Sequence, residues 1–271
     1  MQNIPISDKI PELDIALQAV TEAGNIILEI YEGKYETSIK QDNSPITDAD
    51  LKSNEVIKRI LSKTDHQILS EEDKDDQRRI SKNKIWIVDP LDGTSDFIDK
   101  TGEFTVMIAL IKNKKPIIGV IGWPTEKTIF AAQEGKGAYR FSGNEWRKIS
   151  VTKISELPKC RAVGSRHHLS DKEKMFIKKL GIKNFTSIGS SLKVGKISSG
   201  EAEAYITTTN KMKEWDSAAS YCIISEAGGK MTDMLGNDLT YNNKIVNHQN
   251  GILVTNGLIH NTILEEFKKL N

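Results

Sequence analysis

Residues 85–94 of this chain read Ile85-Trp86-Ile87-Val88-Asp89-Pro90-Leu91-Asp92-Gly93-Thr94. The four apolar residues at the start predict a buried strand, and we expect it to end at Asp89-Pro90 because proline cannot donate to a central ladder. Pro90 and Gly93 then predict a tight, irregular turn. Such a turn can aim both carboxylates and the Leu91 carbonyl at one point, and its last amides can face an anion.

Two other acidic positions lie at the ends of predicted elements. Glu71 and Glu72 follow the apolar piece 66–70, which predicts a short strand, and Asp216 opens a helix predicted over 215–227. Hard divalent cations such as Mg²⁺ take carboxylate and carbonyl oxygens as ligands, whereas clustered carboxylates without a cation repel one another. A metal site is one interpretation. The alternatives are a solvated acidic turn, a surface acid at Glu71 and a helix cap at Asp216.

The remaining pattern alternates between helix and strand periodicity along the chain. Helices are predicted at residues 10–31, 49–62, 171–180, 190–199, 215–227 and 262–270. Strands are predicted at residues 66–70, 85–88, 104–112, 117–123, 129–133, 138–141, 161–165 and 203–207. This alternation predicts a layered α/β fold. The polar stretch 142–158 predicts a boundary between an N-terminal α+β half (1–150), which carries most of the acidic residues, and a C-terminal α/β half (151–271), which carries Asp216.

Composition excludes several classes of protein. The chain has 271 residues, 38% hydrophobic and 28% charged, and a net charge of +1, so we expect no nucleic acid polymer as partner. Cys160 and Cys222 are far apart and form no metal-binding or disulfide pattern. The first 17 residues carry no signal-peptide pattern, and no apolar run has the length of a membrane span. We expect a cytoplasmic protein; attachment to the inner membrane surface, and monomer or homodimer, stay open.

In this order, three motifs resemble the lithium-sensitive inositol monophosphatase superfamily: Glu71-Glu72, the run from Trp86 to Thr94, and Trp215-Asp216. The resemblance extends over nearly the whole chain, as far as Gly228-Gly229. It implies an α-β-α-β-α sandwich and a phosphomonoesterase that uses two or three Mg²⁺ ions.

Within that superfamily, three further segments are similar to the CysQ-type 3'(2'),5'-bisphosphate nucleotidases: Gly102-Glu103-Phe104-Thr105-Val106, Ser165-Arg166-His167-His168 and Gly189-Ser190-Ser191-Leu192-Lys193. This similarity implies hydrolysis of adenosine 3',5'-bisphosphate, a small nucleotide by-product of sulfate assimilation, to AMP and phosphate. One segment departs from the pattern. Where many relatives of this type carry an arginine and a Gly-Pro-Thr-Met-Glu run before Trp-Asp, residues 207–214 retain only the final Glu214.

The resemblance also implies a role for each matching residue. The metal ligands would be Glu71, Asp89, the Leu91 carbonyl, Asp92 and Asp216. Asp50 and Thr94 would be the catalytic pair that orients and deprotonates a water, with Asp48 as the rival to Asp50. Substrate contacts would come from Glu71, Leu91, Asp92, Gly93, Thr94, His168, Ser190, Lys193 and Asp216. The alternatives are a local turn or cap for His168 and Ser190 and a solvated helix face for Lys193. The alternative functions are those of an inositol monophosphatase, a broad sugar-phosphate phosphatase or a non-catalytic sensor of metal or nucleotide.

Overall fold

The computed structural model describes residues 3–40 and 44–270. The helices are α1 (Pro11–Glu32), α2 (Asp48–Leu61), α3 (Thr94–Ile98), α4 (Asp171–Lys179), α5 (Leu192–Ser198), α6 (Ala218–Glu226) and α7 (His260–Lys268). The strands are β1 (Thr37–Ile39), β2 (Pro45–Thr47), β3 (Gln67–Ser70), β4 (Lys84–Asp92), β5 (Thr105–Lys112), β6 (Lys115–Trp123), β7 (Thr128–Gln133), β8 (Gly137–Ser142), β9 (Glu145–Ile149), β10 (Arg161–Ser165), β11 (Asn184–Ile188), β12 (Ala204–Thr207), β13 (Lys230–Thr232) and β14 (Ile252–Thr255).

A seven-stranded sheet in the order β3-β4-β5-β6-β7-β8-β9 occupies the first half of the chain. Its central strand pairs are antiparallel, and β3 runs parallel to β4 at one edge. Successive side chains of β4 point to opposite faces, as the pleat requires. Trp86 and Val88 lie in the core shared with α1 and α2, while Ile85 and Ile87 lie in the core on the other face.

The second core connects this sheet to the second half of the chain. It contains side chains of α5 and α6, such as Val194 and Ile223, together with Tyr205 and Val254 from a five-stranded sheet. That sheet has the order β11-β10-β12-β14-β13. A third core packs α4 and α7 on its far face. The five layers therefore follow as helix, sheet, helix, sheet, helix, which is the predicted α-β-α-β-α sandwich.

Local structure differs from the sequence prediction at several points. β4 continues through Pro90 to Asp92, because the register against β5 shifts between Asp89 and Asp92 and the proline lies in that irregularity. The helix predicted from residue 215 begins only at Ala218. β9 lies inside the predicted boundary stretch. The elements that were not predicted are β1, β2, β11, β13, β14 and α3. No helix among the described residues is long and apolar enough to cross a membrane.

Candidate active site

The parallel pairing of β3 with β4 brings two acidic segments together. Ser70 pairs with Val88, and the amide of Glu71 donates to the Val88 carbonyl at 3.2 Å. Parallel strands end at the same edge of a sheet, so Glu71 lies beside Asp89 although 18 positions separate them in the sequence. The positions of these two carboxylates follow directly from the strand register.

Three carboxylates converge at this edge. One oxygen from each of Glu71, Asp89 and Asp216 lies within 4.8 Å of the others. Burial and the neighbouring charges of Glu71 and Asp92 raise the pKa of both Asp89 and Asp216 well above its usual range. A divalent cation would remove this repulsion. The oxygen donors and their negative charge therefore fit a hard metal ion such as Mg²⁺.

Asp92 and its neighbours form the next part of the same cavity wall. The Asp92 carboxylate accepts hydrogen bonds from the Ser191 amide and, at 3.3 Å, from Thr105 Oγ1. Burial raises the pKa of Asp92, whereas the positive charge of Lys193 acts to lower it. Gly93 has φ of +94°, and a Cβ there would lie 3.2 Å from the Glu103 carbonyl. Glycine is thus required at the turn that separates Asp92 from α3.

Asp216 reaches the cluster from a turn and not from a helix. Its carboxylate accepts the Lys213 amide at 2.7 Å, which closes the turn two residues before α6. The next residue, Ser217, contacts His248 Nε2 at 2.7 Å and the Tyr241 hydroxyl at 3.2 Å. These buried contacts hold the turn against the strand and loop region that follows α6.

Asp50 and Thr94 are in direct contact. Thr94 Oγ1 donates to Asp50 Oδ1 at 3.0 Å, and the Thr47 amide and hydroxyl both donate to Asp50 Oδ2 at 2.7 Å. Asp50 therefore closes the capping box of α2 and also contacts the Thr94 side chain. Burial raises its pKa despite these hydrogen bonds. The rival Asp48 accepts the Glu36 amide instead.

A cavity of about 480 Å³ extends from the carboxylates to the C-terminal half. Its lining includes Glu71, Asp89, Leu91, Asp92, Gly93, Thr94, His168, Ser190, Lys193 and Asp216. All the predicted metal and substrate residues therefore share one cavity, and Asp50 contacts it through Thr94. Residues 207–209, 211 and 212 of the divergent segment line it as well.

The cavity wall also carries two basic side chains, Lys193 and His168, which together are called its cationic end. Lys193 is buried, donates to the Ser190 carbonyl, and lies 5.3 Å from the centre of the Tyr205 ring. Burial lowers the pKa of Lys193, while the charge of Asp92 acts in the opposite direction. Burial and the charges of His167 and Lys193 also lower the pKa of His168. An anion placed here would be stabilised by both side chains.

Sequence reasoning missed two residues at this site. Lys40 Nζ lies 2.9 Å from Glu71 and 2.6 Å from Glu72, and these charges raise its pKa although burial opposes them. No motif surrounds Lys40. Glu173 accepts the Thr208 amide at 2.6 Å and so anchors the divergent segment to α4. The capping pattern Ser170-x-x-Glu173 was its only signal.

Comparison with protein families agrees with this geometry. The family model described as "Inositol monophosphatase family" matches residues 8–271. A 3'(2'),5'-bisphosphate nucleotidase CysQ from Escherichia coli K12 is 37% identical over 239 residues, which cover 84% of this chain and 93% of the relative.

Solved structures give the same result. The crystal structure of CysQ from Bacteroides thetaiotaomicron, a bacterial member of the inositol monophosphatase family, superposes with a TM-score of 0.77 at 33% identity, covering 90% of this chain and 97% of the other. An IMPase from Thermotoga maritima has a TM-score of 0.82 at 24% identity, with coverages of 96% and 98%, and this likeness concerns the fold. A five-layered fold around a carboxylate cluster defines a class of metal-dependent phosphatases. The chain belongs to the inositol monophosphatase family.

Proposed function

We propose that this protein hydrolyses adenosine 3',5'-bisphosphate to AMP and phosphate with Mg²⁺. The observation that carries the proposal is a single cavity whose lining includes the carboxylates together with Lys193 and His168. A substrate with two phosphates can place one at the carboxylates and the other against these basic side chains. The CysQ relative at 37% identity is named for this class of substrate. Inositol monophosphate has no second phosphate to use the cationic end.

Glu71, Asp89, Asp92, Asp216 and the Leu91 carbonyl would hold two or three Mg²⁺ ions. The bound ions would supply a lowered pKa for water and charge stabilisation for the phosphoryl group. The protein itself supplies a hydrogen-bonded pair beside the ions. Because Thr94 donates its proton to Asp50, its oxygen lone pair can accept a hydrogen bond from the attacking water.

The environment of Asp50 favours this carboxylate as the acceptor of the proton from the attacking water. Burial raises the pKa of this carboxyl group, which makes it a better proton acceptor than an exposed aspartate. The water would lose its proton through Thr94 to Asp50 as its oxygen bonds to phosphorus. The bond from phosphorus to the 3' oxygen would break, this oxygen would take a proton from a solvent water, and AMP would leave. Gly93 and Thr94 would contact the phosphate that is released.

Two further expectations belong to this proposal. The buried free thiols Cys160 and Cys222 suit a reducing cytoplasm, where a by-product of sulfate assimilation would be removed. We also keep the division into halves at residues 150 and 151. The strands of the seven-stranded sheet end at Ile149, and those of the five-stranded sheet begin at Arg161.

The test compares phosphate release from adenosine 3',5'-bisphosphate and from inositol 1-phosphate, both with Mg²⁺. We expect kcat/KM to favour the nucleotide by about a hundredfold, which corresponds to roughly 2.7 kcal/mol. A preference for inositol 1-phosphate would keep the phosphatase chemistry and reject the nucleotide as substrate. The divergent segment 207–213 would then be the first place to look for the cause.

A further inference from the structure

The three segments that resemble CysQ-type enzymes meet in one hydrogen-bonded network. They are far apart in sequence and come from both halves of the chain: residues 102–106, 165–168 and 189–193. The Glu103 carboxylate is their meeting point. Its Oε2 accepts the Gly189 amide at 2.6 Å and the Arg166 guanidinium at 2.5 Å.

A second carboxylate supports the same junction from α3. Asp96 Oδ1 lies 3.2 Å from Arg166 Nε and 3.4 Å from His167 Nε2, and it accepts Thr101 Oγ1 at 2.9 Å. The fit at Gly189 is tight, since a Cβ there would lie 2.5 Å from Asp96 Oδ2. The segment beginning at Gly189 is therefore pressed against α3 with no room for a side chain.

This contact determines where the cationic end of the cavity lies. Ser190 directly follows Gly189. Its backbone has a φ of +49°, and its carbonyl accepts a hydrogen bond from Lys193 Nζ. Arg166 lies two residues before His168. One carboxylate thus holds both segments that carry the candidate groups for the second phosphate. Glu71 and Asp89 are held by the pairing of β3 with β4 and Asp216 by the Lys213 amide, whereas Asp92 accepts the Ser191 amide of this segment.

We propose that Glu103 is a positioning residue that sets selectivity for substrates with a second phosphate. It binds no substrate itself and acts by holding the Gly189–Lys193 and Arg166–His168 segments against α3. The inference rests on the proposed function, because it assigns the cationic end to the 5'-phosphate. Loss of the Glu103 charge would displace Lys193 and His168 more than Glu71, Asp89 and Asp216, which among the described residues have no hydrogen bond to these segments.

The experiment measures kcat/KM for adenosine 3',5'-bisphosphate and for 3'-AMP, which lacks the 5'-phosphate, in the wild type and in Glu103→Gln. We expect the ratio of the two values to fall about tenfold, since hydrogen bonds to a charged group contribute on that order. The variant Arg166→Gln, which leaves the Gly189 contact in place, should lower the ratio in the same direction. Thermal unfolding checks that each variant folds.

The matched control is Glu156→Gln, which removes an exposed ion pair with Lys159 outside the cavity. Its ratio should stay within about twofold of the wild type, the usual limit of additivity. Equal losses on both substrates in Glu103→Gln, or an unchanged ratio, would overturn the positioning role. A wild type that does not prefer the bisphosphate over 3'-AMP would reject a second-phosphate site, and this inference with it, while hydrolysis of the bisphosphate itself would still support the proposed function.

Discussion

Asp50 has a structural role and a proposed catalytic role, and its substitution by asparagine should affect the two differently. The carboxylate completes the capping box of α2 through Thr47 and also accepts the Thr94 hydroxyl. Asparagine keeps the size of the side chain and one acceptor oxygen, but it cannot take up a proton at neutral pH. Folding should therefore suffer little, whereas proton transfer from the attacking water should be lost.

The magnitudes differ enough to be told apart. A positioned general base contributes about 10²- to 10⁴-fold to the rate, which corresponds to roughly 3–5 kcal/mol of activation free energy. Disturbing a helix N-cap costs about 1 kcal/mol of unfolding free energy. We expect Asp50→Asn to lower kcat within that range, with a small loss of thermal stability and nearly unchanged Mg²⁺ affinity.

The assay is phosphate release at saturating Mg²⁺ and substrate, with calorimetric Mg²⁺ titration beside it. Asp48→Asn is the matched control, because Asp48 also lies in the first turn of α2 but accepts the Glu36 amide. It should keep turnover within about twofold, as a first-turn acid contributes only a fraction of a kcal/mol to the helix. Unchanged turnover in Asp50→Asn, or equal losses in both variants, would refute the assignment.

Three further predictions concern metal, substrate and pH. Asp89→Asn should abolish the increase in melting temperature that Mg²⁺ gives the wild type. It should also raise the melting temperature of the metal-free protein, because it removes a repelled buried charge. Lys193→Met should raise KM for the bisphosphate about tenfold with a smaller effect on 3'-AMP, as steady-state kinetics would show. Burial lowers the pKa of His260 to about 4. The folded state thus binds its proton less readily than the unfolded state, whose pKa is near 6.5, and unfolding free energy should fall as pH drops from about 6.5 to 4, by up to roughly 3 kcal/mol. Denaturant titrations across that pH range should show that the unfolding free energy of His260→Asn changes less with pH than that of the wild type. An equal pH dependence in the two proteins would contradict the reasoning.

Long periodic segments of the fold were predictable from the sequence. The helix predicted at residues 10–31 is α1, because its apolar spacing buries one continuous face against the large sheet. Short strands were harder to predict from the sequence. β11 is exposed along most of its length, so it carries no alternation of apolar and polar residues. β13 has three residues and gains its stability from pairing with β14, which the local sequence does not encode.

The candidate site was predictable where a motif carried it. The run from Asp89 to Thr94 has its own turn chemistry, and all of its residues except Pro90 line one cavity. Lys40 could not be found this way, because its ion pairs with Glu71 and Glu72 join segments 31 residues apart. The start of α6 was misplaced for a similar reason. The Asp216 carboxylate closes a turn with the Lys213 amide, and this contact competes with helix formation at residue 215.

The most direct test of the account is the Mg²⁺ dependence of adenosine 3',5'-bisphosphate hydrolysis by chelator-treated protein. The convergence of Glu71, Asp89 and Asp216 within 4.8 Å is the structural basis for that dependence. We predict no phosphate release without added metal and a saturable return of activity as Mg²⁺ is titrated in. Undiminished release in the presence of the chelator would contradict the role of this carboxylate cluster as the metal centre of the enzyme.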